Sequence, residues 1–181
     1  MPVKQWAVGD VLSASDMNTW TVPLVGIKSA DQTITSTTTF VNDADMRLAV
    51  AAGAQYEFHA YIRFSSGTGQ DWKSSFNVPA GAIARFQFLG RDISANFAGD
   101  AEYTAASTIT SQGRGVGVLS NAQFLGTVVT AGTAGNFIFQ WSQNTSGAFN
   151  TTLYQYSYLT ARRGEGGRCW RGWRRNLRLQ P

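Results

Sequence analysis

Acid–base chemistry in this chain has one imidazole to work with. His59 stands in the alternating run Tyr56-Glu-Phe-His-Ala-Tyr-Ile-Arg-Phe64, at an outward position between Glu57 and Tyr61. A hydrolytic triad needs a Ser and a carboxylate to converge on such a ring, and no Gly-x-Ser-x-Gly elbow occurs, so no catalytic residue is expected. Asp43 with Asp45, and Asp100 with Glu102, fall in predicted turns, where short acidic side chains serve the backbone; as metal ligands they are weakly supported. With Cys169 the sole cysteine and His59 the sole histidine, the Cys/His zinc sites are excluded. No metal and no cofactor are expected. The run Gly113-Arg-Gly-Val-Gly117 superficially resembles a phosphate-cradling loop, but no Lys stands at the Walker spacing and no helix follows; it is expected to be a loop between strands. Asn144-Thr-Ser146 and Asn150-Thr-Thr152 fit the glycosylation pattern, yet no secretion signal precedes them, and they are taken as polar turns.

Binding is better supported than catalysis. Aromatic rings interleaved with Asn, Gln and Thr stack on sugars while the amides bond hydroxyls, which makes Trp72, Tyr103, Tyr154 and Tyr156 candidate glycan contacts, provided that they face solvent. The competing reading, that they belong to a core or a subunit interface, is favoured. A second candidate lies in the last twenty residues, where Trp170 and Trp173 alternate with Arg171, Arg174 and Arg175. Guanidinium groups match carboxylates as readily as phosphates, and with two Leu in the same stretch a protein partner is favoured over nucleic acid.

Charge separates that stretch from the rest. Residues 1–161 hold eight Lys/Arg against ten Asp/Glu, net −2, whereas residues 162–181 hold seven Arg against one Glu, net +6. The overall +4 therefore describes a tail. The chain as a whole is 14% charged, 43% hydrophobic and 13% aromatic, against a usual charged share of about 25%. Such a composition excludes a disordered acidic chain and a coiled coil. No window nears the ~18 to 20 apolar residues that span a bilayer, and no signal peptide opens the sequence, so a soluble protein without a membrane partner is expected.

Three regions must position these residues. Residues 1–26 form an expected anchoring arm: Ser13 or Ser15 can cap a short helix that presents Met17 and Trp20 together, with Trp6 before it. Residues 27–161 alternate with the period of strands. In the His59 run, Phe58, Ala60, Ile62 and Phe64 point one way and Glu57, His59, Tyr61 and Arg63 the other. Further strands are expected over 72–78, 83–89, 137–141 and 153–159, with Thr-rich or branched runs at 32–41, 103–110 and 124–130, and turns at Asn42-Asp43, Ala52-Gly53, Ser66-Gly67, Pro79-Ala-Gly81 and Ser146-Gly147. An all-β protein follows, an antiparallel β-sandwich or jelly roll. Residues 162–181 form the basic extension.

The strands at 137–141 and 153–159 are apolar or aromatic on both faces, and a doubly apolar strand implies a second covered surface. Phe137, Phe139, Trp141, Tyr154, Tyr156 and Tyr158 are accordingly expected at an interface between copies, either a trimer about a threefold axis or a dimer.

Three stretches carry a likeness: Trp6-Ala-Val-Gly-Asp-Val-Leu-Ser-Ala-Ser-Asp-Met-Asn-Thr19, the run Lys28 to Asp45, and Gly135-Asn-Phe-Ile-Phe-Gln-Trp-Ser-Gln-Asn-Thr-Ser146. Over residues 5–162 the chain resembles small virion structural proteins of tailed bacteriophages, particularly those of actinobacteria, of the minor tail or head-fibre-like kind. The resemblance implies a non-enzymatic virion component, assembled in the bacterial cytoplasm, whose N-terminal segment attaches to other virion proteins of tail or capsid while a β-sandwich head projects. Alternatives that it leaves open are capsid decoration and a carbohydrate-binding adhesin for the host surface. Phe40-Val-Asn-Asp43 leading into a strand, and Ala52-Gly53 before Tyr56, also resemble the trimeric jelly rolls of the tumour-necrosis-factor and complement globular-head type. The tail after Arg162 departs from both patterns.

Overall fold

The computed structural model describes residues 22–99 and 101–164, preceded by residues 9, 11, 13 and 14. The expected arm helix, with Trp6, Met17 and Trp20, and the tail residues Trp170, Arg171, Trp173, Arg174 and Arg175 lie outside the described residues.

Alternation of apolar and polar side chains makes strands wherever one face can be buried, and that pattern governs the chain from Leu24 to Arg163. In order the strands are β1 (Leu24–Ile27), β2 (Gln32–Ile34), β3 (Val41–Val50), β4 (Gln55–Ser66), β5 (Trp72–Asn77), β6 (Ile83–Arg91), β7 (Phe97–Ala98), β8 (Glu102–Thr104), β9 (Ile109–Ser111), β10 (Gly115–Val129), β11 (Gly135–Gln143), β12 (Thr151–Leu153) and β13 (Tyr158–Arg163). All pairings are antiparallel. A large sheet runs β1-β13-β4-β10-β6-β7, with β8 on β6 and with β12 joining β2 to β4; a smaller sheet runs β3-β11-β5-β9. The nested partners β1 with β13, β3 with β11, β4 with β10 and β5 with β9 are those of one long hairpin wound over itself, the jelly-roll path. The excursion β6–β8 widens the large sheet at one edge.

Between the sheets lies an aromatic core. Phe58 and Phe64 of β4, Phe86 and Phe88 of β6, and Phe124 of β10 meet Trp72 and Phe76 of β5 and Phe137, Phe139 and Trp141 of β11, all buried. Phe58 meets Phe137 edge-on at 4.8 Å and Phe76 at 5.1 Å, the arrangement that ring quadrupoles favour. At the other end Trp72 stacks between Trp141, at 4.8 Å, and Phe64, at 4.7 Å. Each such side chain contributes about 1.5–3 kcal/mol on leaving water. Gly126 of β10 pairs with Phe58 on one side and Phe86 on the other, whose rings meet at 6.2 Å. A Cβ there would stand 2.2 Å from the Arg85 carbonyl oxygen and 2.6 Å from Phe86 Cβ, so only glycine lets the two rings close over the strand.

The structure corrects three sequence expectations. Asn42-Asp43 is no turn but part of β3. Asp43, fully buried, accepts hydrogen bonds from the Asp45 and Met46 amides through Oδ1 and takes the Lys28 ammonium on Oδ2 at 2.9 Å. Lys28, immediately after β1, thus ties the large sheet to the small one at their common edge, its Nζ also donating to Gln32. Beside it, the Ser29 amide, then the Ser29 hydroxyl and the nearby Lys28 charge, hold the Asp45 carboxyl below the usual carboxylate range despite partial desolvation.

The expected strand over 153–159 is in fact two strands with a turn between them. Tyr156 takes a positive φ of 66° and its amide donates to the Lys28 carbonyl, while Ser157 Oγ donates to the Tyr154 carbonyl. These local bonds outcompete the ladder. The Thr-rich run 32–41 likewise forms only the short β2 and the entry to β3, with Thr37 caught between Gln143 and Ser142.

Candidate functional site

The outward face of the large sheet is built in rows by its register. One row reads Ile27, Tyr158, Tyr61, Gln123 and Leu89 across β1, β13, β4, β10 and β6. The next reads Val25, Thr160, His59, Leu125 and Gln87, and the third reads Arg162, Glu57, Thr127, Arg85 and Thr104, the last on β8. A fourth pairs Val129 with Ile83. Large apolar groups in these rows stay wet: Val25 is 52% exposed, Ile27 56%, Leu125 40% and Ile83 58%. At the centre the rings brace one another. His59 meets Tyr158 edge-on at 5.5 Å, and Tyr61 lies 6.0 Å from Tyr158. The His59 nitrogens are 3.3 Å from Gln123 Oε1 and 3.4 Å from the Tyr158 hydroxyl. Opposite charges flank the patch, with Arg85 paired to Glu102 at the β8 edge.

Around His59 the surface is braced by these contacts, and beside it an open hollow of about 350 Å³ is lined by Arg85, Gln87, Glu102, Leu125 and Thr127. His59 has an amide and a phenol for neighbours, not a serine and a carboxylate, and among the described residues no three His, Cys, Asp or Glu side chains gather as metal ligands would.

The small sheet presents another face. Its outward rows are Ala49 and Asn136; Arg47, Ile138 and Asn77; Asn42, Gln140 and Ser75; and Ser142, Lys73 and Thr110. Ile138, the one large apolar residue among them, is already buried.

Of the residues expected at an interface between copies, Phe137, Phe139 and Trp141 are corrected: they are wholly buried in the core of a single chain, because the large sheet itself covers the inward face of β11. Trp72 is likewise corrected as a glycan contact, sealed between Trp141 and Phe64. Tyr103 is half-buried, stacked over Phe86 at 6.1 Å. Tyr154 is half-buried and shares a hydrogen bond with Ser65; Tyr156, 64% exposed, projects from the turn before β13. Tyr158 alone of the six lies on the outward face of the large sheet. Its partners there, Tyr61, His59, Leu125, Val25 and Ile27, are absent from the expected site. The alternation in β4 already placed Tyr61 and His59 outward, but the adjacency of β13 and β10 is a matter of register that spacing along the chain does not carry.

No protein-family model matches the sequence, and no curated protein matches it. Among solved structures, the chain is similar to the tripod from the baseplate of bacteriophage Tuc2009, at 8% identity over 91% of this chain and 75% of that one, with a TM-score of 0.37. It is also similar to infectious bursal disease virus, Gx strain, at 9% identity over 79% of this chain and 41% of that one with a TM-score of 0.21, and to the VP2 subviral particle of the same virus, at 11% identity over 88% and 44% with a TM-score of 0.18. The chain spans less than half the length of the two bursal disease virus chains. At TM-scores this low the likenesses carry neither a fold nor a function across, and the geometry above stands on its own.

The exposed aliphatic side chains are spread over three rows, Val25 and Ile27 at the β1 edge, Leu125 beside His59 and Ile83 at the start of β6, around a centre of braced polar-tipped rings.

Proposed function

We propose that this protein is a non-enzymatic structural component of a tailed-bacteriophage virion, of the minor tail or fibre-like kind known from actinobacterial phages, whose jelly-roll head associates with copies of itself. The single observation behind the association is the outward face of the large sheet, where Val25, Ile27, Leu125 and Ile83 stay exposed around Tyr61 and Tyr158. A threefold arrangement is the reading adopted, each copy placing this face toward the axis. The virion assignment is supported by the sequence likeness over residues 5–162, and a structural rather than catalytic role by the setting of His59 beside the Gln123 amide and the Tyr158 phenol.

Attachment to the particle falls to the chain ends, through Trp6, Met17 and Trp20 at one end and Trp170, Trp173 and the neighbouring Arg171, Arg174 and Arg175 at the other. The test is to delete residues 162–181, and separately 1–22, and to follow incorporation into particles. Loss of incorporation with a folded head is expected; normal incorporation of both truncated forms would reverse the roles of head and ends. Imaging of the assembled particle separates the two locations, since contact with tail tube or baseplate makes it a tail component and contact with major capsid subunits a decoration protein.

A further inference from the structure

A cleft of about 280 Å³ opens at one end of the large sheet. Its origin is a parting of strands. β10 pairs with β6 only from Gln123 opposite Leu89 to Val129 opposite Ile83, and its ladder with β4 is interrupted between Gly115 and Ser120. Gly115 and Gly117, at φ of 122° and 76°, supply the left-handed backbone that the detour requires. Beyond Leu89, β6 turns instead to β7, with Arg91 opposite Phe97. The start of β10 and the end of β6 therefore diverge, and the gap between them is the cleft.

Its lining has a definite chemistry. Arg91 enters from β6, and Arg114 from the glycine run Gly113-Arg-Gly-Val-Gly117, which is fixed by the Gly113 amide donating to Asp71 Oδ1 at 2.7 Å. Among the described residues neither guanidinium forms an ion pair with a carboxylate, and the one hydrogen bond that holds Arg91 is a long one of 3.4 Å, to the Ala95 carbonyl. The nearby Asp92 takes the Ser94 and Asn96 amides on Oδ1. Phe97 stands at the mouth, 76% exposed, while Phe64, buried and stacked on Trp72, closes the wall toward the core. Ser120, whose hydroxyl has no hydrogen-bond partner among the described residues, and Asn121 complete the polar side.

Two unpaired guanidinium groups select an anion. An exposed ring beside an amide and a hydroxyl suits a polyhydroxylated ring, with its apolar face on Phe97 and its hydroxyls on Asn121. The volume lies near the ~300 Å³ lower bound of small-molecule pockets, enough for one such ring and not for a chain buried along its length. We infer that the cleft between β6 and the start of β10 binds a monosaccharide unit carrying one anionic group, a carboxylate or a phosphate, as a free sugar or as one residue of a polysaccharide. Arg91 and Arg114 hold the anionic group and Phe97 the ring. Asn121 and Arg91 lie one step beyond Gln123 and Leu89 on the same face but are not among the residues proposed for association, and the binding readout is distinct from the mass that tests association.

The test is calorimetry on the full chain at low salt with four probes: glucuronate, glucose 1-phosphate, glucose and inorganic phosphate. At least one of the two anionic sugars is expected to bind, at least about tenfold more tightly than glucose or inorganic phosphate, with affinity falling as salt rises; which of the two binds names the anionic group. Arg91→Gln and Arg114→Gln, both at exposed positions, are each expected to lower that affinity about tenfold or more with unchanged melting, and Phe97→Ala to weaken the sugar while leaving inorganic phosphate unaffected. Binding of inorganic phosphate as tight as that of either sugar would reduce the cleft to an ion site and overturn the proposal. Equal binding of glucose, wild-type affinity in both arginine variants, or no binding of any probe at millimolar concentration would also overturn it.

Discussion

Along β10 the outward side chains are Gln123, Leu125, Thr127 and Val129; along β11, which crosses the middle of the other sheet, they are Asn136, Ile138, Gln140 and Ser142. Both strands turn aromatic rings inward, Phe124 from β10 and Phe137, Phe139 and Trp141 from β11, and on that side the two sheets are alike in chemistry. They differ outward. β10 and its neighbours leave aliphatic groups in water beside braced rings, whereas β11 lies among Asn, Arg, Lys and Ser, with its single outward isoleucine already covered between Arg47 and Asn77. The lesson is that an aromatic strand need not signal a partner. Phe137, Phe139 and Trp141 are aromatic because one chain needs a core; the large sheet's outward face leaves Val25, Ile27, Leu125 and Ile83 exposed among polar neighbours with no such need from within the chain, and it is there that the proposed association is placed.

The sharpest way to break this comparison is to injure what both sheets share. Phe139→Ala should cost about 3–5 kcal/mol by opening a cavity beside Phe76 and Phe124, read as a fall in the denaturation midpoint. A comparable loss, about 3–5 kcal/mol, is expected of Lys28→Met, which leaves the Asp43 carboxylate buried without its counter-ion and loosens the edge where the sheets are tied. If either variant melted like wild type, the core or the tie would be misjudged.

Much of this was legible in the residues, and the failures have physical reasons. The period of β4 announced its two faces, since each inward residue has a hydrophobic partner across the core. The same signal misled at 153–159, because alternation records the side-chain pattern and not the local hydrogen bonds that break a ladder at Tyr156 and Ser157. Asn42-Asp43 reads as a turn because Asp favours turns; its place in a strand depends on Lys28, fifteen residues away and brought near only by the pairing of β1 beside β13. The rows of the outward face and the arginine-lined cleft were not legible, as each assembles residues from strands far apart in sequence. The glycine run at 113–117 reads as a loop between strands, whereas Gly115 to Gly117 already belong to β10, and the arginine inside it gains its setting only from the end of β6.

Smaller effects sharpen the comparison between the outward faces. Leu125→Lys on the large sheet should raise the dissociation constant of the assembly at least about tenfold, or about 1.4 kcal/mol, while Gln140→Lys at the half-buried centre of the small sheet's face should leave it unchanged; sedimentation of the two variants side by side gives the contrast. The smallest effect concerns acid. Because the Asp45 carboxyl is held below its ordinary value of 3.8, its contribution is fully present above that pH and is lost as pH falls through the lowered value. Asp45→Asn should therefore show a flatter loss of stability below about pH 4, measured by thermal melts across that window.

The most direct test of the central claim is the mass of the full chain in solution. Light scattering at micromolar concentration should report a multimer, a trimer on the reading adopted here, and the double variant Tyr61→Lys with Leu125→Lys should report a folded monomer. A wild-type monomer, or a double variant as multimeric as wild type, would contradict the assignment of the large sheet's outward face as the surface through which copies associate.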